Sequence, residues 1–404
     1  VTPFALPRAL RGLFVLAALA LLGGCAPGAP EPALTDDERP AAELIRVVPG
    51  DGAKNVRAND AFEVRVSEGR LEQVRVTEIW DSGRRAVEGR VMDGGRSWRP
   101  TGGPLGLAAR YTVDAVARDA AGHRAARHTE FRTYVPEHRF VGYLTPAPHS
   151  TVGTGMIVSF GFSRPISDRA AVERAIQVRS RPPTQIAGHW FGSSRLDFRP
   201  REYWKPGTVV TVDLRLRDVR GADGVYGAQR KTVTFTVGRS QVSTVDAAAH
   251  MMTVVRDGAP PARVPVTTGG RANPTYHGKM VISEKFEVTR MNGDTVGFGG
   301  EYNIRDVPHA MRLTGSGTFL HGNYWAKPEV FGTQNVSHGC IGLRDVQGGG
   351  RDTPAAWFYN GSLIGDVVEV VNSAGRPVTA DNGLGGWNMS WQDWRAGSAL
   401  RELD

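Results

Sequence analysis

Phe319-Leu320-His321-Gly322-Asn323-Tyr324-Trp325, followed by Asn335-Val336-Ser337-His338-Gly339-Cys340-Ile341, is the part of the chain on which the reading of the rest turns. Cys340 is one of two cysteines in 404 residues, and His321 stands 19 positions before it. The other cysteine, Cys25, falls in a leader-like segment, which leaves Cys340 without an intramolecular disulfide partner. A free thiol has a pKa of about 8.5, so little thiolate exists at neutral pH unless a neighbour helps. Histidine removes such a proton and later returns one to a leaving amine. His338 is two residues from Cys340, and an extended segment puts both side chains on one face. His321 follows the strand-like Thr318-Phe319-Leu320, which would deliver its ring to a neighbouring strand. Gly339 allows close approach to the backbone, and the N–H groups of Gly339 and Cys340 are natural donors to an oxyanion. A Cys–His pair with such donors suits acyl transfer through a thioester. Two other readings stay open at this level. His321, His338 and Cys340, with His309 a distant fourth, are candidate zinc ligands, although paired-cysteine spacing is missing. A buried structural cysteine is the other alternative.

Around this stretch, Val254-Val255, Arg263 to Val266, Met280 to Ile282 and Val367 to Val371 read as strands joined by Gly/Pro turns, with a short helix near Ala355 to Tyr359. Ala248-Ala249-His250 and Gly269-Gly270-Arg271 read as connections. Residues 240–374 are therefore expected to form a mainly β catalytic domain. Gln347-Gly348-Gly349-Gly350-Arg351-Asp352 reads as a flexible loop before the helix. The tail, 375–404, carries Trp387, Trp391 and Trp394. So aromatic a segment is expected to dock on the protein rather than stay exposed, with wall binding as the other reading.

Upstream, two segments about 100 residues apart echo each other, a period that suits sandwich modules. Trp98-Arg99-Pro100 answers Phe198-Arg199-Pro200. Thr112-Val113-Asp114 answers Thr211-Val212-Asp213. The alternating runs Phe62-Val64-Val66, Tyr111-Val113-Ala115 and Val210-Val212-Leu214 each put one strand face in a core. Two immunoglobulin-like modules are expected, 41–138 and 139–239, held by apolar burial without disulfides, with Asp168 to Ala175 as their one short helix. His123, His128, His149 and His189 are dispersed and suggest surface or locally satisfied rings. The modules read as spacers.

At the start, Arg8 and Arg11 precede the apolar run Leu13 to Leu22, too short to cross a bilayer of about 30 Å as a helix. Leu22-Gly23-Gly24-Cys25 resembles the processing site of bacterial lipoproteins. That predicts a signal peptide over 1–24, a lipid on Cys25, a Pro-rich tether over 25–40 and an exported, membrane-anchored protein; an ordinary secretory signal is the alternative. The net charge is +8 and the basic residues are scattered. With no aromatic-interleaved basic stripe, nucleic acid is not expected as a partner, whereas an anionic envelope or wall polymer suits the sign.

The two quoted blocks together resemble the signature of the L,D-transpeptidase (YkuD-type) catalytic domain. Ser316-Gly317 upstream, Trp357-Phe358-Tyr359, Gly365 to Val370 and the Trp-rich tail fall in that family's order. The leader and the two modules are similar to its actinobacterial members. The resemblance implies Cys340 as nucleophile, His321 as general base and acid, the Gly322 carbonyl as orienter of the His321 ring, and His338 and Gly339 lining the site. It also implies that Tyr302, Ser316, Gly317, Trp325 and Gly342 contact substrate. The implied reaction joins peptidoglycan stem peptides, a tetrapeptide donor losing its terminal D-Ala to give a 3→3 cross-link. No metal or organic cofactor is implied, and carbapenem-type β-lactams are implied inhibitors. An L,D-carboxypeptidase, or a non-catalytic wall-binding lipoprotein, are the competing readings. Three features depart from the pattern: Gly322, where many relatives carry Ser; Gly342, where relatives often carry Asn or Arg; and the loop Gln347 to Asp352, longer than usual before the helix.

Overall fold

The structure is a computed structural model that describes residues 44–80, 83–296 and 299–400. The expected leader, the tether and Cys25 lie outside the described residues. The described chain is mainly strand, as its Val- and Thr-rich, turn-rich sequence requires.

The first sandwich pairs two four-stranded sheets. One runs Ile45–Val48, Glu63–Val66, Ser97–Pro100, Gly89–Met92; the other runs Gly83–Ala86, Arg70–Trp80, Arg110–Arg118, Arg124–Arg132. Every residue of the runs Phe62-Val64-Val66 and Tyr111-Val113-Ala115 is buried between them. Tyr111 stacks on Phe131 at 5.0 Å, and Phe62 meets Trp98 edge-on at 5.6 Å. The second sandwich repeats the plan, with Gly142–Thr145, Val158–Phe162, Arg195–Pro200 and Ile186–Phe191 facing Thr151–Val152, Arg230–Val237, Val209–Arg215 and Ile176–Arg181. Its helix spans Arg169–Arg174, and Asp168 caps it by accepting from the Ala171 N–H at 3.4 Å.

The two sandwiches use the same Arg-Pro motif differently. Arg99 in the first is half exposed and pairs with Glu63 at 3.0 Å. Arg199 in the second is 2% exposed, because the tail covers that sheet face. Its guanidinium lies 4.8, 5.4 and 4.6 Å from the ring centroids of Trp387, Trp391 and Trp394, and it donates to the Met389 carbonyl at 3.0 Å. Burial holds its pKa down to about 10. The tail closes over it with a 3-10 turn at Gly385–Asn388 and a helix at Trp391–Ala396. Trp394 Nε1 donates to the Ala187 carbonyl at 3.0 Å, and Trp387 Nε1 to that of Gly155 at 2.8 Å. Buried Glu173 accepts from Trp190 Nε1 and from the Ala399 N–H, each at 2.8 Å. His189 is satisfied locally, its Nδ1 2.9 Å from the Trp394 carbonyl. The expected docking of the tail is what the structure shows, and Trp387 and Trp394 belong to the second sandwich's own core.

The catalytic segment forms one nine-stranded sheet, ordered Gly278–Val281, Val367–Val371, Gln241–Asp246, Met251–Arg256, Ala262–Thr267, Ile341–Arg344, Phe319–Asn323, Asn303–Arg312, Glu284–Asn292. Helix Pro354–Gly361 packs on it with Ala355, Ala356 and Phe358 buried, capped by Thr353 accepting from the Ala356 N–H at 3.2 Å. The bidentate pair of Arg239 with buried Asp366, 2.9 and 2.8 Å, and the bond from the Gly153 N–H to the Ile364 carbonyl, 2.7 Å, seat this sheet against the second sandwich. The loop 347–352 is not free as its glycines suggest. Asp345 Oδ1 accepts from the Val346 N–H (2.8 Å), the Gly350 N–H (3.0 Å) and Thr353 Oγ1 (3.0 Å), which ties both ends of the loop to one carboxylate.

Candidate active site

His321 and Cys340 come together through strand pairing. Phe319–Asn323 is buried along its whole length, so it can occupy the sheet interior. It runs parallel to Ile341–Arg344, with Leu320 opposite Ile341 and His321 opposite Gly342. Cys340 immediately precedes its strand and so falls beside Phe319. Paired residues of adjacent strands point to the same face, and residues two apart on one strand share it. Cys340 and His321 therefore project to the same side of the sheet, and both line one cleft of about 330 Å³. Tyr302, Trp325, Ser337 and His338 also line it.

The His321 ring is buried and its Nδ1 lies 2.9 Å from the Gly322 carbonyl. That carbonyl can only accept, so Nδ1 carries the proton and Nε2 is left as the basic atom. Trp325 stacks on the ring at 5.4 Å with 16° between planes. Burial pushes the His321 pKa down to about 4, with the Gly322 carbonyl acting the other way. Burial likewise pushes the Cys340 thiol up to about 11, opposed by a backbone hydrogen bond from Phe319. At neutral pH the pair thus rests as thiol and neutral imidazole rather than as an ion pair. The thiol donates to the Gly317 carbonyl at 3.7 Å, consistent with a protonated sulfur.

The segment that presents the sulfur is bent, not extended. Gly339 has φ +112°, a conformation open to glycine and costly to side chains. Ser337 Oγ donates to the Cys340 carbonyl at 2.6 Å and accepts from the Gly339 N–H at 3.2 Å. The Gly339 amide is therefore engaged at rest, and that bond must give way before it can serve an oxyanion. The bend turns His338 toward the mouth of the cleft. Its Nε2 is 3.1 Å from Glu301 Oε2, and its ring is 5.2 Å from that of Tyr302. Burial raises the Tyr302 hydroxyl to about 12, so it stays protonated.

Three of the expected substrate contacts sit around the cleft rather than on its walls. Gly342 is buried inside the sheet and does not line the cleft; a β-carbon there would meet Thr267 Cγ2 at 2.8 Å and Asn323 Nδ2 at 3.1 Å. Gly317 reaches the nucleophile through its carbonyl, which receives the Cys340 thiol at 3.7 Å. Ser316 is held by the tail, its N–H donating to Asn382 Oδ1 at 3.0 Å and its Oγ accepting from Asn382 Nδ2 at 2.9 Å. Sequence reading gave no role to Ser337, Asn323 or Glu301. Ser337 stood within the quoted block, and only the turn geometry reveals it as the clamp. His309 does not line the cleft; its Nδ1 pairs with Asp345 Oδ2 at 2.7 Å.

A β sheet that brings a cysteine and a histidine into one apolar cleft suits a thiol enzyme of acyl-transfer type. Comparison with known proteins names the family. Residues 240–370 match the L,D-transpeptidase catalytic domain (YkuD), and residues 53–220 match a bacterial Ig domain. L,D-transpeptidase 2 of Mycobacterium tuberculosis is 33% identical over 380 residues, 92% of this chain and 90% of the relative. L,D-transpeptidase 5 of the same species is 30% identical over 374 residues, 91% and 79% of the two chains. A solved L,D-transpeptidase in complex with imipenem is 29% identical and covers 58% of this chain and 100% of its own, with a TM-score of 0.48. The chain belongs to the L,D-transpeptidase family and is a cysteine-dependent transpeptidase.

Proposed function

We propose that the enzyme cross-links peptidoglycan stem peptides 3→3 through a thioester on Cys340, with His321 as general base and acid. The observation that supports this reading is the shared cleft, which both His321 and Cys340 line and in which the Gly322 carbonyl leaves His321 Nε2 as the basic atom. The sulfur attacks the carbonyl of the third stem residue. A carbon–sulfur bond forms as the thiol proton passes to His321 Nε2, and the developing oxyanion takes the Cys340 N–H, joined by that of Gly339 as Ser337 releases it. Collapse breaks the bond to the terminal D-Ala, whose amine leaves with the proton from His321. The side-chain amine of a diamino acid on a second stem then attacks the thioester, gives its proton to His321, and restores the thiol. Tyr302 and Trp325 form the donor walls. The same thiol opens the ring of carbapenem-type β-lactams. Mass spectrometry of products from a defined tetrapeptide tests the transfer: dimer is the expected product, and tripeptide alone means that water takes the thioester and the reading fails.

Because both partners rest neutral, acylation is predicted to have an unusual pH profile. The active form needs an unprotonated His321, so the rate is lost only as pH falls through about 4. The raised thiol removes the inflection at about 8.5 expected of a free cysteine. Stopped-flow acylation from below pH 4 up to about pH 10 checks both expectations, and a midpoint near 8.5 would contradict the resting neutral pair.

By this reading the protein acts outside the cytoplasmic membrane, held by a lipid on Cys25 and reaching into an anionic wall. Cys25→Ala is expected to move it from the membrane to the soluble fraction on cell fractionation; retention in the membrane argues against the anchor.

A further inference from the structure

Two of the departures from the family pattern, Gly322 and the Gly-rich loop after Asp345, meet behind His321. A β-carbon built on Gly322 would lie 2.2 Å from Asp345 Oδ2 and 2.9 Å from Pro308 Cγ. The Asp345 carboxylate therefore occupies the space that a side chain at 322 would fill. It is fixed from both ends: Oδ1 takes the Val346 and Gly350 N–H groups and Thr353 Oγ1, and Oδ2 takes His309 Nδ1 at 2.7 Å. Asp345 is 7% exposed. His309 is in turn fixed by the ring of Tyr359, 5.2 Å away, and stands at φ +51°, where the strand Asn303–Arg312 breaks its regular path.

We propose that Asp345 and His309 are positioning residues for His321: the buried carboxylate backs the Gly322 peptide and keeps its carbonyl aimed at His321 Nδ1. This rests on His321 being the base. The physical need follows from the glycine itself. A residue without a β-carbon has more accessible peptide orientations than any other, yet this peptide sets the tautomer and ring angle of the base. Packing a fixed group against its α-carbon restores the constraint that a side chain would otherwise supply. The loop that carries Gly350 and Thr353 then has a role, since it supplies two of the three donors that hold Oδ1.

The test is a set of acylation rates with a carbapenem, measured on the full enzyme well below each variant's melting temperature. Asp345→Ala is expected to slow acylation about tenfold or more, the scale of a misplaced catalytic group, and Asp345→Asn, which refills the space, to recover most of it. Gly322→Ser alone is expected to be slow because it collides with Oδ2, whereas Gly322→Ser with Asp345→Ala is expected to be faster than either single variant. The ¹⁵N shifts of His321 should report the Nδ1–H tautomer in the wild type and a mixture in Asp345→Ala. Where Asp345→Ala does not fold, His309→Gln, which leaves the Oδ1 bonds in place, carries the same comparison. Wild-type rates in Asp345→Ala and His309→Gln, with His321→Ala slow, overturn the positioning role alone. A wild-type rate in His321→Ala overturns the base assignment beneath it.

Discussion

Replacing His321 with alanine is expected to slow acylation of Cys340 by about 10²- to 10⁴-fold while the protein stays folded, the range over which a positioned general base acts. The size follows from the state of the sulfur. A thiol pushed up to about 11 has almost no thiolate at neutral pH, so attack without a proton acceptor must proceed from the weak neutral nucleophile. The neighbours offer no second base of equal placement. His338 faces Glu301 and Tyr302 at the mouth, and the Tyr302 hydroxyl is held protonated. His321 also supports its surroundings, since Trp325 stacks on it. His321→Gln, which keeps some of that volume, should therefore acylate as slowly as His321→Ala but melt closer to the wild type. Single-turnover acylation followed by intact mass checks this, and a rate within threefold of wild type would mean that another group takes the proton.

The second large effect lies far from the chemistry. Trp394→Ala is expected to destabilise the protein by about 3–5 kcal/mol, the cost of emptying a fully buried aromatic site. Trp394 has no exposed surface, and its Nε1 bond to Ala187 is lost with it. The larger consequence is for Arg199, whose guanidinium stands 4.6 Å from that ring in a buried site and whose Nε has no hydrogen-bond partner in the described structure. Removing one aromatic wall leaves a buried cation less compensated. Trp357→Ala is the contrast, because Trp357 is 41% exposed and its loss should cost about 1 kcal/mol or less. Equilibrium denaturation of the two variants checks the difference. A loss below about 1 kcal/mol in Trp394→Ala would mean that the tail is only loosely docked. Asn382 of the same tail holds Ser316, next to the residue whose carbonyl receives the thiol. Loosening the tail should therefore also slow acylation.

What the sequence makes legible here is whatever depends on local pattern. Alternation at Phe62-Val64-Val66 and Val210-Val212-Leu214 reports the burial of a strand face, because period two is a property of the strand itself. The helix at Arg169–Arg174 is legible through its Asp168 cap. The residues alone offer Cys340 two histidine partners, His321 and His338, and only the family resemblance chooses His321; the strand register that carries His321 to the cleft is not a local signal. What is not legible depends on the partner across space. Arg99 and Arg199 occupy equivalent places in a repeated motif, and nothing local says that the second lies beneath three tryptophans. Gly342 reads as a substrate contact when aligned by motif, and nothing local says that it is buried inside the sheet opposite Thr267 and His321. The Gly-rich loop reads as free because glycine signals permissive backbone; that Asp345 holds both of its ends is a property of three residues converging. Ser337 shows the same limit, since its clamp on the Cys340 carbonyl exists only in the bent turn.

The central claim is that Cys340 is the atom donor for the covalent intermediate. Intact-mass analysis after incubation with a carbapenem, on the wild type and on Cys340→Ala side by side, tests it most directly. One adduct on the wild type, mapped to the peptide containing Cys340, and none on the variant is the predicted result. Equal labelling of the two proteins, or no labelling of either, contradicts it.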